Sequence, residues 1–192
     1  MEPTGLIVVD LASGRSWRKL TGHWAMLPVD GFVAIIEGRP MALGIGVDGI
    51  AISADGERLY VCPLASRRLF SVSVDALADE DASDETVAAT LEDHGEKGAS
   101  DGLESDSEGR IYATNYEQNA VLRRLPNGQI ETLVADPRLL WPDTLSLASN
   151  GYLYVTANQL HRQPQFHHGK DLRQKPYSLF RFRVDAKPVS LR

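Results

Sequence analysis

The sequence predicts an all-β fold, a partial β-propeller spanning residues 1–192 with about three blades and a fraction. Three observations lead there: an aspartate head that recurs, a hairpin pattern behind each head, and a spacing close to that of propeller blades. The heads read Asp48-Gly49-Ile50, Asp101-Gly102-Leu103 and Asp143-Thr144-Leu145. Seven positions after each aspartate stands a turn pair, Asp55-Gly56, Glu108-Gly109 or Asn150-Gly151, and an apolar run containing Tyr60, Tyr112 or Tyr154 follows. Strand, tight turn, strand is the hairpin signature. The heads fall 53 and 42 residues apart, against roughly 40–50 residues for a blade.

Taken in chain order, Leu6–Leu11 and Trp17–Leu20, joined by Ser13-Gly14, predict the outer hairpin of a blade whose inner strands lie elsewhere. Residues 47–72 predict the first aspartate-headed unit, with Leu69–Val74 as a further strand. Between Asp75 and His94 lie eight acidic and no basic residues. This acidic insertion, about 75–98, predicts a short helix from Asp84 to Asp93 capped by Ser83. Residues 100–125 and Ile130–Val134 make the second unit, and residues 142–162 with Leu179–Val184 the third. The stretch from about 159 to 177 reads as a long loop, of the length that is usually functional or disordered. Propellers close with typically 4–8 blades. The chain is therefore expected to be part of a larger ring, completed by missing N-terminal blades or by a second copy.

Composition excludes several classes. At 43% hydrophobic and 24% charged the chain is an ordinary globular sequence. A net charge of −6 gives no field for a phosphate backbone, so nucleic acid is not expected as a partner. No run reaches membrane-span length, and the opening Met1-Glu2-Pro3-Thr4 has no signal-peptide pattern, so no membrane is expected either. Cys62 is the single cysteine, which rules out an intrachain disulfide. Inside an apolar run it is expected to be buried and inert. No phosphate loop, dinucleotide fingerprint or nucleophile elbow is present.

Chemistry is expected where the heads meet. The innermost strand of each blade lines the channel, so Asp48, Asp101 and Asp143 converge on one axis. Three converging carboxylates repel unless a cation neutralises them, a proton is retained, or water separates them. A divalent cation such as Ca2+ suits an oxygen-only donor set. The other use of each aspartate is structural, bonding nearby amides in an Asx turn.

The stretches Asp48-Gly49-Ile50-Ala51 through Tyr60-Val61-Cys62-Pro63 to Leu69, and Trp141-Pro142-Asp143-Thr144-Leu145 through Tyr154-Val155-Thr156-Ala157-Asn158 to Arg162, resemble the yellow/major royal jelly family. They are most similar to its bacterial branch related to dopachrome tautomerase. The resemblance covers about Gly5 to Val184 and implies a propeller that is six-bladed in the full-length family, of which this is the C-terminal half. It also implies a small-molecule ligand at one end of the channel and an extracellular or periplasmic location. The heads are further similar to gluconolactonase-type propellers, which implies Asp101 and Asp143 as preferred metal ligands. Three functions follow as alternatives: binding, with isomerisation, of a small ligand; metal-dependent lactone hydrolysis; and non-catalytic carriage.

Around the heads, five residues are expected to contact a ligand. Glu104 alternates with Leu103 on its strand, and Asn115 and Asn158 occupy matching places after their hairpins. Trp141 precedes the third head and either lines a pocket or fills the core. His161 lies in the long loop, where an imidazole titrating near neutrality can exchange protons. The three recurring tyrosines are expected to pack between blades.

Overall fold

The computed structural model describes residues 4–190. Strands β1 (Leu6–Val9) and β2 (Ser16–Lys19) form the expected outer hairpin. A second hairpin, β3 (Val33–Ile36) with β4 (Arg39–Ala42), was not legible from the pattern. Its turn is Glu37-Gly38, both residues at positive φ (50° and 74°), the conformation of the tight turn whose twist matches paired strands. The signal was present in Glu-Gly, and Pro40 inside β4 is tolerated because the strand has an edge position.

Three larger antiparallel meanders follow. The first joins β5 (Val47–Ile52), β6 (Arg58–Pro63), β7 (Arg68–Ser73) and β8 (Glu92–Glu96). The second joins β9 (Leu103–Ser105), β10 (Ile111–Asn115), β11 (Ala120–Arg124) and β12 (Ile130–Ala135). The third joins β13 (Pro142–Leu147), β14 (Tyr152–Ala157) and β15 (Ser178–Arg183). The predicted turn pairs sit at the first bend of each meander, with Gly56, Gly109 and Gly151 at φ near 80°. No sheet among the described residues closes on itself.

The meanders stack radially. Their first strands, β5, β9 and β13, pack side by side, while apolar layers fill the wedges farther out. Tyr112, Val121, Leu147, Leu153 and Val155 fill the wedge between the second and third sheets. Cys62, Leu69, Leu103 and Ile111 fill that between the first and second. Glycine makes the close approach possible. A Cβ on Gly49 would collide with the carbonyl oxygen of Asp101, and one on Gly102 with that of Asp143. The Asp-Gly heads thus combine an acid with a residue thin enough to let the next inner strand touch.

The acidic insertion holds two short helices, α1 (Val74–Ala78) and α2 (Asp84–Ala88), capped by Ser73 and Ser83. The expected helix from Asp84 to Asp93 is correct in its cap and wrong in its length. After Ala88 the chain turns, and Glu92–Glu96 pairs with β7 as the fourth strand, a ladder that outcompetes continued helix. Val87 anchors α2 in the core with Leu77, Leu6 and Leu20. The 159–177 stretch is ordered by two 3-10 turns, Leu160–Arg162 and Pro164–Phe166, and by paired bonds between Gln159 and Gln174. No helix is long and apolar enough to cross a membrane among the described residues.

Candidate functional site

The three head aspartates converge. Asp48, Asp101 and Asp143 line one cavity of about 190 Å3 at the end of the inner strands. Their placement begins with the backbone. In the second sheet the Thr114 hydroxyl accepts from the amides of Asp101 and Gly102 (3.0 and 3.1 Å), and in the third the Thr156 hydroxyl accepts from the amide of Thr144 (3.1 Å). Cys62 holds the corresponding position in the first sheet, fully buried, and burial pushes its thiol up and away from reactivity. Lys97 is buried beside that thiol and donates to the Gly98 carbonyl at 3.1 Å; burial lowers its ammonium from the usual range.

The acids are not equivalent. Burial first, then the charges of Asp143 and Asp48 and a hydrogen bond to Asp48, push the Asp101 carboxyl up to about 7, against the lowering effect of a bond from Trp141. Asp48 is also raised, by burial and then by the charge of Asp143, while its bond with Asp101 works the other way. Both carboxyls thus favour their protonated forms more than a free aspartate does, and the two titrate as a pair. A retained proton is one of the three ways to relieve the repulsion, and the raised carboxyls favour it. Asp143 accepts from Asn158 Nδ2 and from the Thr144 hydroxyl (2.8 Å for the latter).

Trp141 is the pivot of the site. Its Nε1 donates to Asp101 Oδ2 at 2.6 Å, and its ring lies between Tyr116 (centroids 4.5 Å, 8° between planes) and His161 (5.9 Å, 15°). The side chain is fully buried and its backbone is left-handed (φ 57°), a conformation that bulky residues hold only where surrounding contacts enforce it. Those contacts include the amides of Asn158 and Gln159, which donate to the carbonyls of Trp141 and Leu140.

Of the five expected ligand contacts, three gather here: Trp141, Asn158 through Asp143, and His161 on the far face of Trp141. Two sit elsewhere. Glu104 binds the amides of Ser105 and Leu147 (2.8 and 3.0 Å), tying the second sheet to the third. Asn115 is buried and accepts from the amides of Glu117 and Gln118 (3.1 Å each), closing the turn after β10. Residues that the pattern did not disclose are Tyr116, Glu37 and Arg162. Glu37 is 124 residues from His161 in sequence yet 2.9 Å from its ring. The recurring hydroxyls, Thr114 and Thr156, did carry a signal, two residues after each recurring tyrosine.

The donor set is oxygen-rich, as a hard cation prefers. Even so, no group of three acidic, histidine or cysteine side chains among the described residues is arranged to hold a metal ion. The donors match in kind, and the spacing does not.

Radially stacked antiparallel meanders with acids at one end of their inner strands define a protein of the β-propeller type with an acid-lined cavity. The chain belongs to the major royal jelly protein family, whose model matches residues 2–186. Among curated proteins no sequence matches. A solved luciferin-regenerating enzyme is similar in structure, with a TM-score of 0.64 at 15% identity over 100% of this chain and 56% of that one. A calcium-binding protein, regucalcin, from Agrobacterium tumefaciens gives 0.53 at 18% identity over 97% and 72%. A gluconolactonase from Xanthomonas campestris gives 0.54 at 17% identity over 86% and 51%. These likenesses are of fold, and the chain spans little more than half the length of the first.

Proposed function

We propose that this chain forms part of a six-bladed propeller that binds a small polar molecule at the channel mouth and isomerises it by proton transfer. The observation that carries this reading is the Asp48–Asp101 pair, two carboxyls facing a shared cavity and both raised towards their protonated forms. Such a pair has both parts of a tautomerase. Asp101 can give a proton to an oxygen of the ligand while an ionised neighbour takes one from carbon, and a group near 7 does this with least driving-force penalty at neutral pH. Asn158 and the Thr144 hydroxyl hold Asp143 in place at the rim. An extracellular or periplasmic setting belongs to the same proposal and rests on family membership alone.

The second reading is lactone hydrolysis with a divalent cation, favoured by the oxygen-only donors. Because the acids are not spaced as a metal site, no step is assigned to a cation. Turnover of dopachrome and of sugar lactones, with and without chelator, separates the two. Chelator-insensitive isomerisation that falls at least about 100-fold in Asp101→Asn is the expected result, general acid–base catalysis contributing roughly 10²–10⁴-fold. Lactone turnover abolished by chelator would replace this reading with the second, and failure of both reactions with retained ligand binding would leave a carrier.

A further inference from the structure

The β3–β4 hairpin pairs with no other strand, yet its buried face packs on the aromatic stack beside the acids. Ala34 and Ile36 belong to the same apolar cluster as Tyr116 and Trp141. At the hairpin tip stands Glu37, with φ at 50°. A tight turn of this kind takes glycine or asparagine most readily, and a longer side chain there costs backbone strain. A residue kept in such a conformation points to a use for its side chain.

The Glu37 carboxylate meets two donors from the Leu160–Arg162 turn. Arg162 donates to both oxygens, at 2.5 and 3.1 Å, and that bond is the main cause holding the carboxyl below its usual range. An ionised carboxylate only accepts, so the 2.9 Å contact from His161 places the proton on Nε2. Nδ1 of the same ring is buried without a partner, so Glu37 supplies the ring's one hydrogen bond among the described residues. Trp141 is thus walled on both faces by rings that are each pinned at a polar atom. Tyr116 is pinned by its hydroxyl, which donates to the Leu64 carbonyl at 2.6 Å, and His161 is pinned by Glu37. One wall lets a ring tilt away, and two fix its plane. That plane aims Nε1, whose bond to Asp101 weakens steeply once donor and acceptor fall out of line.

We propose that Glu37 is a positioning residue for the acid-lined site: through His161 it holds the Trp141 indole in line with Asp101, so that the β3–β4 hairpin governs the acid at the head of β9. Its effect on turnover rests on the isomerisation proposed above, whereas the hydrogen bond can be read without any substrate.

The test is solvent exchange of the indole protons by nitrogen-15 NMR of the full chain, the Trp141 signal being the one that Trp141→Phe removes. Glu37→Gly suits the left-handed turn and takes away only the side chain, and Glu37→Gln keeps an acceptor for His161. Trp17, whose Nε1 donates to the Leu77 carbonyl at 2.9 Å, is the internal control. In Glu37→Gly the Trp141 proton should exchange at least about tenfold faster, the weight of one hydrogen bond, with Trp17 unchanged. In Glu37→Gln it should stay within about threefold of wild type, less than that weight. Unchanged Trp141 exchange in Glu37→Gly, equal acceleration at Trp17, or Glu37→Gln exchanging as fast as Glu37→Gly would each overturn the proposal. A Glu37→Gly chain that fails to fold by its thermal melt would overturn it too, because the side chain would then serve the fold and not the indole. The expected exchange pattern in a chain without isomerase activity would uphold the role of Glu37 and discard the reaction.

Discussion

Asp101 carries a titration that stability and spectroscopy can both read. Its folded carboxyl holds a proton until about pH 7, whereas an unperturbed aspartate releases it near 3.8. Between those values the folded chain binds more protons than the unfolded one, so stability from this group falls as pH rises through the window and levels off above it. Asp48, also raised, adds in the same direction. Urea melts at pH 4.5 and 7.5 should therefore show a larger loss for the wild type than for Asp101→Asn; equal losses would contradict the assignment. Trp141→Phe removes the one bond that lowers Asp101, so the carboxyl resonance of Asp101 should titrate at higher pH in that variant by carbon-13 NMR. A midpoint that stays or falls would mean the indole bond is not formed in solution. At this scale the sequence disclosed the acids and little of their tuning. Asp101 and Trp141 are 40 residues apart and Glu37 and His161 are 124 apart, and no local pattern announces such a meeting.

The inner strands were the most legible elements, because each bears an acid, an apolar alternation and a glycine turn within about a dozen residues. Less legible were elements defined by partners: β8 pairs with a strand more than twenty residues earlier, and β3–β4 pairs only with itself. Gly102 is the sharpest test of how the elements meet. Its replacement by alanine forces a methyl onto the Asp143 carbonyl, and backbone cannot yield as a flexible side chain can. Gly102→Ala should lose at least about 1–3 kcal/mol in denaturant melts, the usual cost of overpacking. Gly44→Ala, outside the left-handed region and with no atom within 4 Å of the added methyl, is the control without a backbone clash. If the two variants melt alike, close approach of the inner strands is not what Gly102 provides.

As a whole molecule the chain presents apolar strand surface at its first hairpin, where Ile7, Val9 and Leu11 are 61%, 51% and 93% exposed. Exposed strands of this kind associate. Sedimentation of the isolated chain should reveal concentration-dependent self-association that Ile7→Lys with Val9→Lys reduces; a chain that stays monomeric at high concentration would argue that this face is tolerated bare. Where the inner strands meet, the packing is governed by main chain. Because Gly49 abuts the Asp101 carbonyl and Gly102 that of Asp143, the spacing of the inner strands is gauged by peptide groups, and the acids line a cavity whose width they do not set. Head side chains can accordingly be exchanged like bits in a fixed chuck, altering the chemistry of the cavity while the spacing of the strands that carry them stays the same.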